Sequence, residues 1–155
     1  MCVLVPFDGS GEAELALDRG ASLADHFDAS LVTVTVVHRG AEDPVGLGWL
    51  DEGERFDEKR VTRRLEAMVD RIAPTAEFTA ICEHARLSQG AVAKRLRRFA
   101  HSEGAELVVI GSENAGRVVT PLSSVGGGVA TDLGYDVYLV RREDSELFSG
   151  RRRTA

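Results

Sequence analysis

Apolar positions along the chain alternate between two rhythms. Continuous β-rich runs occur at "CVLVPF" (residues 2–7), "SLVTVTVV" (30–37), "AEFTAIC" (76–82), "AELVVIG" (105–111) and "DVYLVRR" (136–142). Such short unbroken runs predict strands buried on both faces. Between them the spacing becomes helical. Ala13, Ala16, Leu17, Ala24 and Phe27 recur every three or four residues, with Ser10 as N-cap, and predict a helix over 12–27. Val61, Leu65, Met68, Val69 and Ile72 share one face of a helix over 57–72 that Pro74 ends. A third helix starts after the cap Ser88, buries Val92, Leu96, Phe99 and Ala100, and has Gly104 at its C′ position. A last helix is expected over about 125–133.

The run "HRGAEDPVGLGWLDEGERF" after the second strand is polar, glycine-rich and irregular. Connections this long in a compact domain are functional or mobile segments. Its one tryptophan, Trp49, reads as an anchor holding the loop down or as a lid over a site; the anchor is the simpler reading.

Regular alternation of strand and helix predicts an α/β fold: one doubly wound domain over 1–142, a five-stranded parallel sheet with helices on both faces. Residues 143–155 carry little apolar content and read as a flexible tail. The 155 residues suffice for one core without disulfides or metal. A net charge of −6 argues against a general nucleic-acid partner. Cys2 and Cys82 form no disulfide framework, no apolar run reaches membrane-spanning length, and an apolar strand follows Met1 directly. A cytoplasmic location without membrane contact is the expectation.

In a doubly wound sheet, ligands bind beyond the carboxyl ends of the strands. The candidates are "DGSG", "HRG", "EHAR" and "GSENAG", which follow the first four strands. Asp8 could accept hydrogen bonds from a ribose hydroxyl or a base amino group, or could simply cap the turn behind it. Gly111, Ser112, Ser123 and Ser124 lie around the loop before the last helix, where backbone N–H groups and hydroxyls suit a phosphate. Neither G-x-x-x-x-G-K-[ST] nor an early G-x-G-x-x-G occurs, which excludes a P-loop or a dinucleotide fingerprint, and G-x-S-x-G is missing. His26, His38, His84 and His101 have no metal-ligand spacing and read as solvated. "KRLRR" (94–98) reads as a solvated helix face.

Three segments carry a family resemblance: "VLVPFDGSGEAELALDRGASLADHFDASLVTVTVV", "EGAELVVIGS" and "SSVGGGVATDLGYDVYLVRR". On these the chain resembles a universal stress protein over roughly 2–142. The resemblance implies strand order 3-2-1-4-5, a crevice between strands 1 and 4, and a homodimer pairing through the last strand around Val137 and Val140. It also implies an ATP site, with Mg accompanying the ATP. Asp8 and Val36 would meet the nucleoside, flanked by Pro6 and Phe7, and the loop from Gly111 would meet the phosphates.

The nucleotide-binding branch carries G-x2-G-x9-G-[ST] here, and this chain departs from it. Asn114 stands at the second glycine. Either Ser123, Ser124 and Val125 take the place of Gly-Ser-Val, or Gly116 and Gly126 restore the spacing of two glycines. The first register leaves room for the last helix and is preferred. The expected phosphate contacts are therefore Gly111, Ser112, Asn114, Ser123, Ser124, Val125 and Gly126. No lysine, arginine finger or general base is evident in the loop, and Arg117 reads as solvated, so any hydrolysis would be slow. Two functions follow: a regulatory domain that binds an adenine nucleotide in a stress response, or a dimeric module of the same fold that acts on an unidentified protein partner and retains no nucleotide.

Overall fold

The computed structural model describes residues 1–118 and 134–141. In chain order the elements are β1 (Cys2–Pro6), α1 (Gly11–His26), β2 (Ser30–Val37), α2 (Glu58–Ile72), β3 (Glu77–Cys82), α3 (Gln89–Ser102), β4 (Leu107–Gly111), a 3₁₀ helix (Ser112–Arg117) and β5 (Asp136–Val140). The strands form one parallel sheet in the order β3-β2-β1-β4-β5. The expected fold class and strand order are both found.

Each described α-helix begins at a side chain that takes an otherwise unpaired N–H of the first turn. Ser10 Oγ accepts from the Ala13 amide, Asp57 Oδ1 from Arg60 and Ser88 Oγ from Ala91, each at 3.1 Å. Asp57, expected inside its helix, is thus the cap. α3 ends at the C-cap Glu103, and Gly104 follows at φ 63°.

Alternation along the strands builds two cores. Val3, Val5, Leu31, Val37 and Val109 face α1 and α2, while Leu4, Val32, Val34, Val36, Val108 and Ile110 face α3. Thr33 and Thr35 are buried in β2 and give their hydroxyl protons to the carbonyls of Glu77 and Phe7. Pro6 has no N–H to offer, and the bond from the Phe7 amide to Val34 O continues the ladder one residue beyond β1.

Several expected positions differ. Phe27 is 49% exposed because α1 ends at His26 and the chain turns back at Asp28, so the stripe stops one turn earlier. Met68, Ile72, Val92 and Phe99 are only half-buried, at the margins of their helix faces. β3 is an edge strand and is nowhere fully buried, since among the described residues no strand pairs with its outer side. The segment read as a loop after β4 opens with the 3₁₀ helix. The expected last helix and the tail lie outside the described residues.

α1 approaches the sheet closely because its inner face is Ala13, Ala16, Leu17, Gly20 and Ala24. A Cβ on Gly20 would stand 2.5 Å from Val5 Cγ2. Gly20→Ala is expected to cost about 1–2 kcal/mol by overpacking. In a Val5→Ala background the same change should instead stabilise, by up to about 1 kcal/mol of helix propensity. Urea unfolding of the four proteins measures this; equal effects in both backgrounds would show that α1 does not press on β1 at Gly20.

Candidate functional site

The chain winds β1-α1-β2-α2-β3 with both helices on one face of the sheet, then crosses back through α3 on the other face to reach β4. At that reversal neither set of helices covers the carboxyl ends of β1 and β4. A cavity of about 420 Å³ opens there. Its lining includes Pro6, Phe7, Asp8, Val36, Gly111 and Asn114, six of the residues expected in the site. Ser112, also expected, is exposed in the 3₁₀ helix and is not in the lining. Ser123, Ser124, Val125 and Gly126 lie outside the described residues.

Asp8 serves the local turn and also faces the cavity. Its Oδ1 accepts from the Ser10 amide at 3.0 Å, and its carbonyl accepts from Trp49 Nε1 at 2.7 Å. The capping role read from the sequence is therefore present, and it holds the carboxylate at the cavity wall.

The long loop forms another wall. Trp49 is 2% exposed, stands edge-on to His38 and borders the cavity, so it is an anchor and a wall at once. Gly9, at φ 88°, lies directly under the Leu47 carbonyl, where a Cβ would collide. From α2, Arg64 Nη1 donates to Trp49 O (2.9 Å) and Glu54 Oε1 (2.8 Å), and Nη2 donates to Glu54 Oε2 (3.1 Å). This fork ties the loop to the helix. Glu54 is held below the usual carboxylate range, first by the Arg64 hydrogen bond and then, against desolvation, by the charges of Arg64 and Arg60.

His38 is not solvated as expected. It is buried at the end of β2, and its Nδ1 accepts from the amides of Gly40 (3.1 Å) and Leu87 (3.3 Å), which places a proton on Nε2. The ring thereby stitches the loop to the approach of α3. Its position after a strand was legible in the sequence; the fold-back of Leu87 onto it was not. His84 is exposed, as expected.

Glu12 was missed altogether. It reads as a solvent-facing residue of the first turn of α1, yet it is 7% exposed. Its Oε1 accepts from the Glu113 amide at 2.8 Å, and Oε2 lies 3.4 Å from Asn114 Nδ2. Gly111 passes so close that a Cβ there would strike the Glu12 side chain. Asn114, inside the right-handed 3₁₀ helix, needs none of the left-handed freedom a glycine would bring. No sequence signal separates Glu12 from its exposed neighbour Glu14, because the contact runs across 101 residues of chain.

A model of the universal stress protein family matches residues 1–141. Among solved structures, a universal stress protein in complex with cAMP aligns at 24% identity over 90% of this chain and 96% of that one, with TM-score 0.53. The universal stress protein UspA from Lactobacillus plantarum aligns at 21% identity over 91% and 97%, with TM-score 0.50. Both share the fold described above. No curated protein sequence matches the chain.

The Arg64 fork has a readable consequence. Because Glu54 titrates below its ordinary value of 4.5, the latch is complete above that pH and is lost as pH falls through the lowered value. Trp49 emission is expected to stay constant from neutral pH down to about 4.5 and to shift red only in stronger acid. Arg64→Ala should show the red shift already at neutral pH, with greater acrylamide quenching. Identical spectra for variant and wild type would mean that the loop is held by other contacts.

Proposed function

The chain belongs to the universal stress protein family, and on that premise we propose that it is a regulatory domain whose crevice between β1 and β4 binds an adenine nucleotide. One observation carries this reading: Pro6, Phe7, Asp8, Val36, Gly111 and Asn114, far apart in sequence, line one cavity of about 420 Å³. That volume falls in the range of small-molecule sites. The proposed nucleoside end lies against Val36, Pro6 and Phe7, with Asp8 accepting from ribose or base. The phosphate end is Gly111 to Asn114, and the family pattern adds Ser123, Ser124, Val125 and Gly126. ATP with Mg is the ligand the resemblance implies, and the relative solved with cAMP adds a cyclic monophosphate. The proposed role is binding in a stress response, not turnover. Pairing of two copies through the outer edge of β5, where Leu139 is exposed, belongs to the same proposal.

A specific observation favours a second reading, an interaction module that retains no nucleotide. The Glu113 amide, which a phosphate would seek, is already bonded to Glu12.

Denaturing the purified protein and analysing the supernatant by mass spectrometry separates the two. The lone tryptophan in the cavity wall gives a second measure, a Trp49 fluorescence titration with AMP, cAMP and ATP. Asp8→Asn keeps an acceptor for the Ser10 amide while removing the charge. It is expected to weaken binding about tenfold or more, in line with loss of a charged hydrogen bond. No nucleotide in the supernatant and no titration by any of the three would leave the interaction module standing.

A further inference from the structure

We infer that Glu12 makes this crevice selective for weakly charged adenine compounds, a nucleoside or a monophosphate such as cAMP, over ATP. The inference rests on the reading of the crevice as an adenine-nucleotide site. Glu12 sits in the first turn of α1, where the helix dipole favours a carboxylate, and its side chain reaches beneath the end of β4. There it takes the Glu113 amide and lies beside Asn114 Nδ2, directly under Gly111. Gly111 and Asn114 line the cavity, so the carboxylate backs the surface that phosphates would approach.

The rest of the wall has the same sign. Its charged residues among those described are Asp8, Glu42 and Asp43, with no lysine or arginine. Charges in a partly desolvated cleft interact more strongly than in water. A triphosphate brings several negative charges against this wall, a cyclic monophosphate one, and adenosine none. Among the described residues no three acidic, histidine or cysteine side chains converge as metal ligands.

The experiment titrates wild type and Glu12→Gln with adenosine, cAMP, AMP and ATP, each with EDTA and with magnesium. Trp49 fluorescence and calorimetry serve as readouts. Glutamine keeps an acceptor for the Glu113 amide, so the variant removes charge and leaves the hydrogen bond. Wild type is expected to bind adenosine and cAMP at least about tenfold tighter than ATP. In Glu12→Gln, ATP affinity should rise about tenfold while adenosine stays within about twofold.

Wild type binding ATP as tightly as cAMP would overturn the inference. So would a variant that shifts all four ligands equally, which is the mark of a merely structural glutamate, or magnesium-dependent ATP binding lost in the variant. Failure of all four ligands with both proteins would instead overturn the nucleotide reading itself. Should Glu12→Gln not fold, the pair Glu42→Gln and Asp43→Asn reads the same field from the loop. ATP affinity should then rise and adenosine affinity hold; no selective rise would overturn the inference.

Discussion

A parallel sheet wound in two directions cannot be covered everywhere, and this one is uncovered where β1 meets β4. α1 and α2 occupy one face and α3 the other, because the chain changes direction of travel after β3. The amides and carbonyls at the ends of β1 and β4 must find partners other than a further strand. Nearly every unusual feature of the molecule answers that requirement: the Asp8 turn, the Trp49 bond to the Asp8 carbonyl, and the reach of Glu12 to the Glu113 amide.

These contacts also link separate parts of the molecule. Arg64 holds the loop, the loop carries Trp49, and Trp49 holds the backbone of Asp8. A ligand meeting Asp8 therefore meets a residue fixed through α2. On the opposite wall, Glu12 carries the same kind of coupling from α1 to the 3₁₀ helix. The crevice is shaped by side chains that belong to the framework, so its charge and its stability are set by the same residues.

Much of this was legible in the chain. Apolar runs marked β1, β2 and β4 because central parallel strands buried on both faces leave little freedom of composition, and shorter, mixed runs still marked β3 and β5 at the sheet edges. Ser10 and Ser88 marked helix starts because an N-cap is a local bond within three residues. Asp8 and Gly111 could be nominated because they stand at strand ends, and Val36 only through the family resemblance. Phe27 misled because periodicity does not say where a helix runs out of sheet to cover. His38 and Glu12 were out of reach for a different reason, since their partners lie 49 and 101 residues away.

By itself, then, the sequence determined the order of the five strands and of α1 to α3, and the caps Ser10 and Ser88. All of these depend on neighbours a few residues apart, or on the burial that a parallel sheet imposes. Only the tertiary structure decided what the strand ends are made of. It turned a glutamate that reads as surface into the floor beneath Gly111, and a loop tryptophan into the wall beside Asp8. The physical reason is distance along the chain: a carboxylate's surroundings are set by whatever the fold brings to it, and no local pattern records that.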